Sequence, residues 1–123
     1  NYKKRLNAEF DEAQKFANKN LILKILPILD NLVLICEKMS ENERESAWAK
    51  GVLNIRRQFE STLKEAGVQE IQIKQGDAFN PEFHEAIGEA EGEGESGSVA
   101  EMVQKGYALH GRVIRAARVK VSK

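Results

Sequence analysis

Leu21-Ile22-Leu23-Lys24-Ile25-Leu26-Pro27-Ile28-Leu29-Asp30-Asn31-Leu32 presents a broad apolar face at helical spacing, with a proline inside it. Leu21, Ile22, Ile25, Leu26, Ile28, Leu29 and Leu32 recur at three- and four-residue steps, the pattern of a helix entering a bundle. Proline costs about 3 kcal/mol or more in a helix interior. The spacing nevertheless resumes beyond Pro27 without a phase jump, so the stretch is expected to be a kinked continuous helix rather than one broken near Lys24.

Upstream, Tyr2, Leu6 and Phe10 are followed by Ala13, Ala17 and Leu21, each displaced by 11 residues from its counterpart. That repeat lies near 3.67 residues per turn and favours a straight or slightly right-handed pair of helices. Lys3, Lys4, Arg5, Asp11, Glu12 and Lys15 keep the other face wet. Residues 1–39 therefore read as one long helix with a narrow apolar stripe. Such a stripe forms no core alone, and a second copy of the chain is the simplest partner. The expected dimer face comprises Leu6, Phe10, Ala17, Leu21, Ile25, Leu29 and Leu32, joined by Val52, Ile55 and Phe59.

Downstream, Ser40–Glu45 is polar and reads as a loop, with Ser40 and Ser46 as candidate helix N-caps. Trp48, Val52, Ile55, Phe59 and Leu63 mark a second amphipathic helix from about Glu45 to Ala66, with Gly67 just past its end. The period then changes to two. Val68 to Ile73 suggests a strand, Gln75-Gly76-Asp77 a turn, and Phe79–Ala86 an irregular segment around Pro81. Ile87 is the expected start of a second strand. Glu91–Gly97 is a low-complexity loop, and Val99–Val103 and Tyr107–Val121 supply further strands. The fold class is thus α+β, with helices over residues 1–66 and a small β domain over 67–123.

The chain's 19 basic and 19 acidic residues balance, so net charge steers it toward neither nucleic acid nor membrane. The charge is segregated, however. No Lys or Arg lies between Lys74 and Lys105, and no acid follows Glu101. Cys36 is the single cysteine, which suits a reducing compartment and offers no disulfide framework. No apolar run reaches the roughly 18 residues of a membrane span, and no signal peptide is evident.

His84-Glu85 resembles half of a zinc-protease helix motif, but Gly88 occupies the place of the second histidine. The Glu-Gly-Glu-Gly-Glu run lacks calcium-loop spacing. No nucleophile–base pair and no phosphate-binding loop stand out. The expectation is no enzyme, no metal and no cofactor. His84 reads as a residue that hydrogen-bonds the turn around Asn80-Pro81. Arg112, Arg115 and Arg118 suit three roles comparably from charge alone: phosphate neutralisation, a solvated strand face, or an interface with a partner's carboxylates.

Two separated motifs carry a resemblance. Phe79-Asn80-Pro81-Glu82-Phe83-His84-Glu85-Ala86-Ile87 comes first, then Gly106-Tyr107, Gly111-Arg112, Ile114-Arg115, Ala117, Val119 and Val121. With Leu26-Pro27-Ile28-Leu29-Asp30-Asn31-Leu32, they resemble the GrpE family, the nucleotide exchange factors of DnaK-type chaperones. The resemblance implies a parallel homodimer with a paired long helix, a four-helix bundle and one β wing per protomer. It implies binding to the ATPase domain of the chaperone and release of ADP. Arg112 is the implied main polar anchor, with Val121, Arg115, Gly111 and Tyr107 contributing. Phe79, Pro81, His84, Ala86 and Gly106 fall to wing structure. The family points to bacterial cytoplasm, with the mitochondrial matrix as the alternative. Val33-Leu34-Ile35 is more apolar than the family's usual charged residues there, Ala116 replaces a frequent proline, and Arg118 stands where apolar residues are common. The competing reading is a coiled-coil dimeric nucleic-acid-binding or adaptor protein that uses the basic C-terminal strands.

Overall fold

A computed structural model describes all residues from Asn1 to Lys123. The helices are α1 (Tyr2–Lys15), α2 (Lys19–Lys38), a short α3 (Glu41–Arg44) and α4 (Ala47–Glu65). The strands are β1 (Val68–Glu70), β2 (His84–Ala90), β3 (Val99–Gln104), β4 (Tyr107–Leu109), β5 (Arg112–Arg115) and β6 (Ala117–Ser122). The α+β class expected from the pattern is the one observed.

The long helix is not continuous to Met39. It bends at Phe16–Asn18, where Ala17 N–H reaches the Gln14 carbonyl at 3.4 Å and Lys19 N–H the Phe16 carbonyl at 3.1 Å. These i→i+3 bonds tighten one turn and redirect the axis. Pro27, by contrast, lies within unbroken α2. Its ring is exposed, flanked by the buried Leu26 and Leu29. Burying the adjacent face offsets the missing hydrogen bond.

The stretch 40–45 is more ordered than a loop. Ser40 Oγ accepts from Glu43 N–H at 3.1 Å while the Glu43 carboxylate accepts from Ser40 N–H at 3.2 Å, a capping box that starts α3. Arg44 donates to the Cys36 carbonyl at 2.8 Å and so closes the C-terminus of α2. Ser46 Oγ caps α4 by accepting from Ala49 N–H.

Two apolar stripes run along α2. Ile22, Leu26, Leu29, Val33 and Cys36 are buried. The first four join Leu63 of α4 with Val68, Tyr107 and Leu109 of the first sheet in one core. That core crosses the junction at residues 66–67. About one helical step round, Leu21, Ile28 and Ile35 stand 59%, 54% and 48% exposed, with Ile25 and Leu32 half-buried between them.

The strands form two three-stranded sheets. β1-β4-β5 is wholly antiparallel and lies on the helices. In β2-β6-β3, β6 is parallel to β2 and antiparallel to β3. Its core is Val99, Ala117 and Val119, packed by Ile73, Phe79, Met102 and Val121. β1 ends at Glu70, so Ile73 serves this second core rather than a longer strand. β2 begins at His84, three residues before the expected start, because the Pro81–Phe83 turn delivers His84 directly to Ala117 of β6.

The chain passes between the sheets twice at one place. β3 leads to β4 through Lys105-Gly106, and β5 leads to β6 through Ala116. A Cβ on Gly106 would lie 2.4 Å from the Ala117 nitrogen, so the crossing requires glycine.

Candidate partner-binding site

The β4–β5 hairpin turns on His110-Gly111, with Leu109 paired to Arg112 across it. Both turn residues have positive φ, 47° and 83°. That is the two-residue turn whose twist matches paired strands. Gly67 leaves room for the His110 ring, which would otherwise collide with a Cβ. The hairpin tip lies against the bend between α1 and α2, forming an open groove lined by Asp11, Glu12, Lys15, Phe16, His110 and Arg112.

Arg112 spans this groove. Its guanidinium donates to Glu12 at 2.6 Å and sits 4.1 Å from the Phe16 ring centroid. Phe16 in turn meets the His110 ring edge-on at 6.1 Å. The Arg112 and Glu12 side chains remain 57% and 61% exposed, so the pair is a surface one. Arg112 and Gly111 are the expected partner residues that the fold leaves at the surface.

Of the other three, Tyr107 is buried and Arg115 and Val121 are half-buried. Arg115 forms a two-pronged pair with Asp30 of α2 at 2.7 and 2.8 Å, and donates to the Lys105 carbonyl from Nε and Nη2. Tyr107 is buried in the larger core, with the Arg115 guanidinium 5.2 Å from its ring centroid. Burial, then the nearby Glu70 carboxylate, pushes the Tyr107 hydroxyl up to about 12, with Arg115 opposing the rise. Val121 packs half-buried against the second core.

The residues expected to build the wing differ in burial. His84 is buried, and its Nδ1 accepts from Asn80 N–H at 3.0 Å. Phe79 packs on the second core and tilts against the His84 ring at 5.7 Å. Pro81 opens the turn that follows Asn80, and exposed Ala86 pairs with Val119 between β2 and β6. Gly106 lies at the sheet crossing.

The residues expected at a dimer face divide three ways. Leu6, Phe10, Ala17, Leu21 and Ile55 are exposed. Ile25, Leu32, Val52 and Phe59 are half-buried, with Phe59 packed on the internal core. Leu29 is 1% exposed and wholly spent inside the protomer, so it offers no surface to a second chain. Sequence reasoning passed over Ile28, Ile35 and Trp48, which are exposed. It also passed over Asp30 and Glu12, the acidic partners of the two arginines. A charge inside the apolar run at Asp30 was the available signal.

Five of the six basic residues of the C-terminal segment form ion pairs, two of them enclosed and three exposed. Lys105 pairs with Glu70, Arg112 with Glu12, Arg115 with Asp30, Arg118 with Glu85 and Lys123 with Glu91, which leaves Lys120 without an ion pair. No His, Cys, Asp and Glu cluster of three or more could hold a metal ion. No helix is long and apolar enough to cross a membrane.

A family model described as GrpE matches residues 1–123. The chain belongs to the GrpE family. Among similar GrpE-family proteins, "Protein GrpE" of Exiguobacterium sibiricum is 40% identical over 123 residues, covering 99% of this chain and 65% of that protein. "Protein GrpE" of Bacillus subtilis is 37% identical over 123 residues, with the same two coverages. "Protein GrpE" of Dichelobacter nodosus is 40% identical over 126 residues, covering 100% of this chain and 67% of that protein. The chain thus spans 65% of the length of the first two relatives.

Proposed function

We propose that this chain is the dimerising and wing-bearing part of a nucleotide exchange factor for a DnaK-type chaperone. Membership of the GrpE family along the whole chain carries the proposal. In this reading residues 1–66 pair with a second copy and residues 67–123 present the wing to the chaperone's ATPase domain. No residue of the chain acts as a catalyst. The curated relatives are bacterial, which favours the bacterial cytoplasm over the mitochondrial matrix.

The factor binds the open, nucleotide-free cleft better than the closed, ADP-bound one and so shifts the chaperone toward the open state. Reciprocity requires ADP to weaken the factor's own binding by the same factor, typically about 5- to 150-fold. Arg112 is the anchor best placed to contribute, since it is exposed at a hairpin tip. It must leave Glu12 to meet a carboxylate of the partner. That exchange is cheap, because an exposed ion pair is worth about 0–1 kcal/mol.

The enclosed pairs of Lys105 with Glu70 and Arg115 with Asp30 withdraw two of the basic residues from the surface that a nucleic-acid reading would use. A steep loss of nucleic-acid affinity with salt is what that alternative would require. Arg112→Ala tests the anchor. Losing a charged hot-spot contact costs about 2 kcal/mol or more, so titration against nucleotide-free chaperone should show at least roughly 30-fold weaker binding. Unchanged affinity and unchanged ADP release would remove Arg112 from the interface.

A further inference from the structure

The sheet β2-β6-β3 joins the rest of the protein through the segment 71–83 that leads from β1 to β2 and at the double crossing formed by Lys105-Gly106 and Ala116, where Ile71 N–H also meets the Gly106 carbonyl at 2.9 Å. Asp30 reaches this joint from α2. Its carboxylate accepts two bonds from Arg115, at the end of β5, and a third at 3.2 Å from Gln104, at the end of β3. Arg115 also binds the Lys105 carbonyl, so one guanidinium ties the helix, the last residue before one crossing and the first residue of the other. The Arg115 and Asp30 side chains are 17% and 23% exposed, too enclosed to serve as a free contact surface.

We propose that Arg115 and Asp30 are positioning residues: they form a strut that fixes the second sheet relative to the helices and the β4–β5 hairpin. This rests on the exchange-factor reading for its functional consequence and reassigns Arg115 within it. Arg112 lies on the first sheet and Val121 on the second. Only a rigid joint holds two such contact points at a set separation. A yielding joint lets the factor bind open and closed clefts more equally, and binding that does not discriminate between states shifts nothing. Planar, forked geometry is the reason for arginine here. Lysine keeps the charge but loses the two-pronged bond to Asp30 and the second bond to the Lys105 carbonyl, so it ties the joint less stiffly.

The test compares the whole chain with its Arg115→Lys variant. Spin labels on Lys24→Cys of α2 and Glu101→Cys of β3 report the joint, diluted with unlabelled protein so that one labelled chain is read at a time. Cys36 is 1% exposed and stays unlabelled in the folded chain. Arg115→Lys should broaden the label distance distribution and leave affinity for nucleotide-free chaperone little changed. It should lower the saturating rate of ADP release, and the ratio of affinities for nucleotide-free and ADP-bound chaperone, by about tenfold. An unchanged distribution overturns the strut, whether affinity falls, as for a direct contact, or nothing changes. If Arg115→Lys does not fold, Gln104→Ala removes the milder tie and is judged by the same readouts. If the unmodified chain does not accelerate ADP release, the exchange-factor reading fails on its own. The label distances then decide the strut alone: a broadened distribution upholds it and an unchanged one overturns it.

Discussion

Arg112 and Arg115 are three residues apart on one short strand and end in different environments. Arg112 meets Glu12, 100 positions earlier, on the surface. Arg115 meets Asp30, 85 positions earlier, in a half-enclosed joint. The sequence displayed both arginines and the acid-free segment around them. It did not display which carboxylate each would meet, because helix-to-strand packing over such separations leaves no local periodicity. Tyr107 shows the same limit: its place in a wing motif was legible, its burial beside Glu70 was not. Its hydroxyl is pushed from 10.0 up to about 12, so the folded chain holds that proton more tightly than the unfolded chain does. The stability gained is fully present below pH 10 and is lost as pH rises toward about 12. The contribution is at most about 2–3 kcal/mol. Denaturant titration across that window should show a fall in stability that Tyr107→Phe reduces. An equally steep fall in Tyr107→Phe would assign the effect to other groups.

At the scale of elements, periodicity located α4 and the apolar faces of α2, and Ser40 and Ser46 announced the N-caps of α3 and α4. The bend at Phe16–Asn18 was not legible. The apolar repeat runs through it from Tyr2 to Leu21, and the contacts at the bend come from the distant hairpin through Arg112 and His110. Pro27 was the visible warning, and α2 continues through it as the resumed apolar spacing predicted. The early start of β2 was likewise hidden, since it depends on a buried His84 and on pairing with β6. The same helices carry an unsatisfied prediction of their own. Leu21, Ile28 and Ile35 on α2, with Trp48 and Ile55 on α4, leave large apolar side chains in water. A second copy of the chain would cover them. Burying one such side chain is worth about 1.5–3 kcal/mol, and a symmetric dimer buries it twice. Ile28→Asp or Ile55→Asp should therefore weaken dimerisation by roughly a hundred- to ten-thousand-fold. Sedimentation velocity would show a monomer at concentrations where the parent chain is paired; an intact dimer in both variants would reject this face. Leu29 is unsuitable for that test because it belongs to the internal core.

At the scale of the whole molecule, a core that crosses from helices to the first sheet makes the hairpin part of the same rigid body as α2 and α4. The second sheet has its own core and is joined through the segment 71–83, the crossing at Gly106 and the Asp30–Arg115 pair. The exchange account needs both: paired helices as a base, and a wing that does not yield when it meets a closed cleft. The measurement that addresses this most directly is release of labelled ADP from a DnaK-type chaperone, followed with and without saturating amounts of the chain. The account predicts faster release with the chain present, at a rate that levels off with concentration, together with weaker binding of the chain to chaperone preloaded with ADP. Release at the same rate with and without the chain, under conditions where the two demonstrably bind, would contradict it.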